Sequence, residues 1–154
     1  NLSDRGRFDE ALRVFDQLQE ADSTRTALYW NRGELWLLQG EYELALQEFA
    51  KEPFDFLRLT GEAIAYHHLG RREEALAALQ TLISKMGESA SYQIAAVYAQ
   101  WGDVDNAMIW LERAFIIRDP GLVYVGIMPQ FDPIRDDPRF EALLRKMNFV
   151  DEAT

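Results

Sequence analysis

The sequence predicts an all-α fold built of tandem antiparallel helix pairs, and three observations predict it. Four glycines, Gly6, Gly40, Gly70 and Gly102, recur at separations of 34, 30 and 32 residues. Each is followed five residues later by an alanine (Ala11, Ala45, Ala75, Ala107) and nine residues later by a large apolar residue (Phe15, Phe49, Leu79, Leu111). Four residues ahead of the last three glycines stand Trp36, Tyr66 and Tyr98, with a small residue three positions earlier (Gly33, Ala63, Ala95). Such spacings place side chains on one face of a helix. Each unit therefore reads as helix, glycine turn, helix, the glycine supplying a positive φ at no steric cost.

Taken in order, residues 1–22 read as a half repeat. Leu2 to Arg5 would end a first helix, Gly6 would turn, and a second helix would run from about Phe8 to Ala21. Its face of Phe8, Leu12 and Phe15 is expected to be partly bare. With no initiator methionine, the chain reads as a piece of something longer. Three full repeats follow at 24–53, 54–86 and 89–120, the first and third closing on Pro53 and Pro120. Residues 121–154 read as a degenerate repeat. Pro129 and Pro133 forbid a long helix, and Asp137-Pro138 is a cap followed by proline in the first turn. The helix it starts would seal the stack with Phe140, Leu143, Leu144 and Met147. Leu122, Val123, Tyr124, Val125, Ile127 and Met128 are too apolar for an exposed loop and are expected to pack on the last repeat.

Composition narrows the function. In 154 residues, 16 basic and 26 acidic side chains leave a net charge of −10, the wrong sign for a nucleic-acid face. The absence of cysteine removes disulfides, thiol nucleophiles and zinc–thiolate sites. No apolar run reaches the ~20 residues that span a bilayer. Neither a membrane nor a nucleic acid is expected as partner, and the expected location is the cytoplasm.

No catalytic or metal constellation emerges, and no cofactor is expected. His67 and His68 are adjacent, so on a helix they diverge by about 100°; two surface histidines are expected rather than a metal site. Ser3, Ser23, Ser84, Ser89 and Ser91 lack a Gly-x-Ser-x-Gly setting. The pairs Glu41/Glu43, Glu73/Glu74 and Asp103/Asp105 sit at helix starts, where the helix dipole favours negative charge, and read as helix-start charge and solvation rather than paired catalytic carboxylates. Asp103-x-Asp105-Asn106 lacks the glycine and distal glutamate of a calcium loop.

The spacing of glycine, alanine, aromatic and closing proline resembles the tetratricopeptide repeat. Residues 27–53 and 90–120 look like full copies, and residues 57–86 like a copy without the closing proline. The resemblance implies a non-enzymatic protein–protein interaction module in which the first helices of successive repeats line a groove for a peptide or helix. The matching positions are Trp30, Glu34, Leu37 and Leu38 in the first repeat. In the second they are Thr60, Ile64, His67 and His68, and in the third Tyr92, Ala96, Ala99 and Gln100. This mostly apolar lining suits an apolar segment. The family's clamp for a C-terminal carboxylate needs lysine, asparagine and arginine where this chain has Trp30, Glu34, Ile64, Tyr92 and Ala96, so carboxylate capture is not expected. Arg32 and Glu62 replace the family's usual leucine, and are expected to snorkel to solvent rather than to pair. The tail FDPIRDDPRFEALLRKM also resembles the ends of repeat modules in bacterial multidomain regulators. The expected function is binding of an unidentified protein or peptide within such a regulator. The alternative is self-association as a homodimer through the bare first helix and an outward Trp110.

Overall fold

The computed structural model describes residues 2–22 and 27–147, with side chains from residue 5 onward. Ser23, the Ser3 side chain, the start of the 24–53 repeat and the end of the 121–154 segment lie outside the described residues. Within them the structure is all-helical. The α-helices are α1 (Leu2–Ala21), α2 (Leu28–Leu38), α3 (Tyr42–Ala50), α4 (Asp55–His68), α5 (Arg72–Met86), α6 (Ser91–Gln100), α7 (Val104–Ile117) and α8 (Pro138–Lys146). Short 3₁₀ turns cover Gly87–Ala90, Pro120–Tyr124 and Pro129–Ile134. The fold is the array of tandem helix pairs that the periodicity predicts.

Three of the four marker glycines make the predicted turn. Gly40, Gly70 and Gly102 have φ of 75°, 74° and 76°. In each, the glycine amide donates to the carbonyl three residues back and the next amide reaches the aromatic four residues before the glycine. The second bond joins Glu41 N to Trp36 O, Arg71 N to Tyr66 O and Asp103 N to Tyr98 O, each at 2.9 Å. This paired capping satisfies carbonyls that a helix end otherwise leaves unbonded. Gly6 differs from the expectation: α1 runs unbroken through it. Gly6 sits inside the helical ladder of Leu2–Ala21 and makes no turn.

The chain divides into two compact units, Asn1–Leu76 and Ala77–Thr154, with α5 contributing to both. The first unit is centred on Phe49 of α3, which is fully buried with Ala45 and Ala65. Trp30, Trp36, Leu37 and Leu46 pack around that cluster. A Cβ added at Gly33 of α2 or at Gly61 of α4 would overlap the Phe49 ring. The two glycines thus let the backbones of two helices close on one phenyl group. On α1, Phe8, Leu12 and Phe15 are half-buried, with Phe8 edge-on to Trp36 at 5.1 Å.

The second unit pairs α6 with α7 over Ile94, Val97 and Leu111, all fully buried. Its tail turns at Asp137, whose side chain accepts from Arg139 N at 2.9 Å and caps α8 as predicted. Phe140 and Leu143 are buried, while Leu144 and Met147 are half-buried. Two ion pairs join α8 to α7, Arg139–Asp105 at 2.8 Å and Lys146–Glu112 at 3.0 Å. Arg135 ties the tail to itself by donating to Gly126 O and Met128 O. The apolar tail is only partly sealed. Leu122 and Val125 are buried, but Val123, Tyr124 and Ile127 are exposed, Ile127 at 77%. In a 3₁₀ turn residues i and i+3 share one side, so Leu122 and Val125 are buried together while Val123 and Tyr124 face away.

Two expectations about single residues are corrected. Trp110 does not face outward: it is 9% exposed, with the Arg113 guanidinium 4.5 Å above its ring. Its polar sequence neighbours hid a position that falls on the buried side of α7. Arg32 neither snorkels freely nor pairs with Glu62. It binds Asp16 at 2.7 Å, Gln19 at 2.9 Å and Glu48 at 3.3 Å, whereas Glu62 lies 3.9 Å from Arg58. The partners sit on α1 and α3, which flank α2, and periodicity does not reveal them.

Candidate binding face of the first helices

In the first unit, α2 carries Trp30, Glu34, Leu37 and Leu38 at helical spacing. Trp30 is half-buried, its ring 5.4 Å from Phe49. Leu37 is also half-buried against the core cluster. Leu38 is 61% exposed and is the freest large apolar side chain of the helix. Glu34 lies between them, and its Oε1 is buried with no hydrogen-bond partner. Burial pushes its carboxyl up to about 7, and a hydrogen bond from Trp30 lowers it only in part. A solvated glutamate would titrate near 4.3.

On α4 the predicted positions behave differently. Thr60 and Ile64 are buried, and the Thr60 hydroxyl donates to Phe56 O. Neither offers surface to a ligand, which corrects the expectation that they line an open groove. His67 and His68 are half-buried, with rings 5.6 Å apart. His68 stacks on Tyr42 at 4.7 Å, and burial pulls His67 below the usual histidine range. Among the described residues no group of three or more metal-ligating side chains is gathered.

In the second unit the predicted face of α6 is covered. Tyr92 packs on Phe131 at 5.3 Å, and Gln100 Nε2 donates to Gln130 O at 3.0 Å. Ala96 and Ala99 are buried. Gly121 lies so close to the Tyr92 ring that a Cβ there would overlap it. The tail therefore packs on the last repeat, as expected, but on the very positions assigned to the groove.

Sequence reasoning missed the two acids that hold this face in place. Glu52, 2% exposed, accepts from Trp30 N and from Phe54 N, both at 3.2 Å. Asp119, 9% exposed, accepts from Tyr92 N at 3.2 Å and Gly121 N at 2.9 Å. Each carboxylate serves amides at the start of a first helix and just beyond itself, donors that no helix satisfies internally. The signal was visible: both acids directly precede the closing proline of a repeat, Glu52-Pro53 and Asp119-Pro120. The middle repeat lacks the proline and the acid together.

The other polar candidates have local roles. Asp103 caps α7 by accepting from Asn106 N at 3.1 Å. Glu74 pairs with Arg71 at 2.6 Å. The Ser89 and Ser91 hydroxyls donate to backbone carbonyls within their own turn. Among the described residues no helix is long and apolar enough to cross a membrane.

Paired helices on glycine turns, with α2 side chains partly open and the assigned α6 positions covered, define a helical-repeat scaffold of the kind that binds other proteins. Family models described as tetratricopeptide repeat match residues 1–55, 58–81 and 88–116, together well over half of the chain. The chain belongs to the tetratricopeptide repeat family, whose repeats are generally non-catalytic protein-interaction scaffolds. No curated relative matches the chain.

Proposed function

We propose that the chain is a protein-binding module that takes an apolar peptide or helix of a partner on the exposed side of α2. The observation that carries this reading is Leu38. It is 61% exposed at the end of a helix whose part-exposed Trp30, Glu34 and Leu37 share its side, while the matching side of α6 is covered. Aromatic anchors beside an exposed leucine favour association through a small apolar centre. The net charge of −10 opposes nucleic acid as the partner. In this reading the module serves a larger cytoplasmic regulatory protein of bacteria, which the tail sequence resembles. The test is binding of peptides selected from a random library. Leu38→Asp should abolish it with the fold intact, and unchanged binding would overturn the reading.

Self-association is the second reading, and Ile109 and Ile116 of α7 favour it. They are 49% and 75% exposed, one above the other at helical spacing. They line a cleft of about 390 Å³ with Met108 and Arg113. Mass in solution over a dilution series discriminates the two. A dimer that Ile116→Asp dissolves supports self-association, and a monomer throughout leaves the α2 face as the functional surface.

A further inference from the structure

Among the described residues, the acids packed into the fold differ in how their oxygens are satisfied. Glu52 and Asp119 each accept two backbone amides. Glu48, 7% exposed, has one oxygen 3.3 Å from Arg32, which offsets its charge although its Oε2 has no hydrogen-bond partner. Among the described residues Glu34 has no ion-pair partner: its Oε1 is buried and accepts nothing, and its hydrogen bond comes from Trp30. An unsatisfied buried acceptor costs about 1–3 kcal/mol, more if charged. An uncharged side chain at this position would avoid that cost. The Trp30 hydrogen bond leaves Oε1 without a partner, an acceptor that a bound donor would satisfy.

We propose that Trp30 and Glu34 form a subsite for one cationic side chain, a guanidinium or ammonium, of the polypeptide that lies on α2. This rests on the α2 face being the binding surface. Its own basis is the orphaned carboxylate one helical turn from an indole. The two groups attract the same ligand by separate means. An indole face draws a cation through its quadrupole. A carboxylate with a free lone pair accepts from it with charge assistance, and does so more strongly where water is sparse. Glu34 as a whole is half-buried, so part of its side chain reaches the α2 face. Leu38, one turn further on, is open for an apolar residue of the same segment. The preferred ligand is thus a mostly apolar stretch carrying one arginine or lysine. The carboxyl already titrates near 7 in the free protein because burial penalises its charge, and a bound cation relieves that penalty.

The test begins with dodecapeptides selected from a random library on the intact chain and sorted by whether Leu38→Asp abolishes binding. The Leu38-dependent peptides should carry arginine or lysine at one shared position. Glu34→Gln keeps the shape and removes the charge, and should weaken them at least about tenfold. Replacing the peptide arginine by citrulline should cost as much, and the two changes together little more than either alone. In the carbon spectrum of the Glu34 carboxyl, a bound arginine peptide should lower its titration by about one unit or more. Leu38-dependent peptides without a cation preference, bound equally by Glu34→Gln, overturn the subsite and leave the face standing. If no selected peptide depends on Leu38, the face itself fails, and the subsite with it.

Discussion

The backbone amide of Trp30 donates to the Glu52 carboxylate at 3.2 Å, across 22 residues of sequence. Asp119 repeats the arrangement on Tyr92 at the same distance. The second helices of these two repeats differ in length, α3 having 9 residues and α7 having 14. Yet each chain returns an acid to the start of the first helix of its own repeat. Glu52→Ala strands two part-buried amides and should cost about 2 kcal/mol. Thermal unfolding followed by circular dichroism checks this. Asp119→Ala should cost about as much, and a loss below about 0.5 kcal/mol at both sites would remove the carboxylates from the account of stability.

Glycines at different positions should respond in opposite directions. Gly61→Ala drives a methyl into the Phe49 ring, and overpacking of this kind costs about 1–3 kcal/mol. Gly33→Ala should behave alike. Gly6 is helical, and nothing stands within 4 Å of an added Cβ. Gly6→Ala should therefore stabilise the chain by up to about 1 kcal/mol through helix propensity. A loss at Gly6 would mean that this glycine makes a turn after all.

Glu34 sets a pH dependence whose sign follows from its folded titration near 7. Between the unfolded value near 4.3 and 7, the folded state binds the proton more tightly than the unfolded chain. Its contribution is therefore fully present at low pH and is lost as pH rises through 7. Denaturant unfolding at pH 5 and pH 8 should show Glu34→Gln more stable relative to the parent protein at pH 8, by up to about 3 kcal/mol. An equal difference at the two pH values would refute the buried, protonatable state.

Arg118 closes α7 in the left-handed region, with φ 57° and an exposed side chain. Left-handed backbone costs a non-glycine residue about 1 kcal/mol. Arg118→Gly should raise stability by about that amount, read as an increase in the unfolding midpoint.

Tyr92 and Leu38 occupy the face assigned to partner binding but should behave differently. Tyr92→Ala uncovers Phe131 and should destabilise the second unit by about 2 kcal/mol. Leu38→Asp, at an exposed position, should leave the melting temperature nearly unchanged. A matching drop at Leu38 would make it a core residue.

Helix pairs, glycine turns and the Asp137 cap were legible in the sequence because each is a local matter. Helical periodicity, positive φ and capping depend on residues within a turn or two of one another. Which side of each helix is left open was not legible. Trp110 and Ile64 share their apolar character with Leu38, yet two are buried and one is exposed. Arg32 finds Asp16 and Glu48, and Tyr92 finds Phe131, through packing partners that no spacing rule identifies. The acids before Pro53 and Pro120 stood in plain view, but their task appears only when the chain brings each within reach of a distant amide. Local chemistry determines the elements. Burial and charge are settled by neighbours far away along the chain, and for Glu34 that neighbourhood turns an ordinary glutamate into a carboxyl that holds its proton near neutrality.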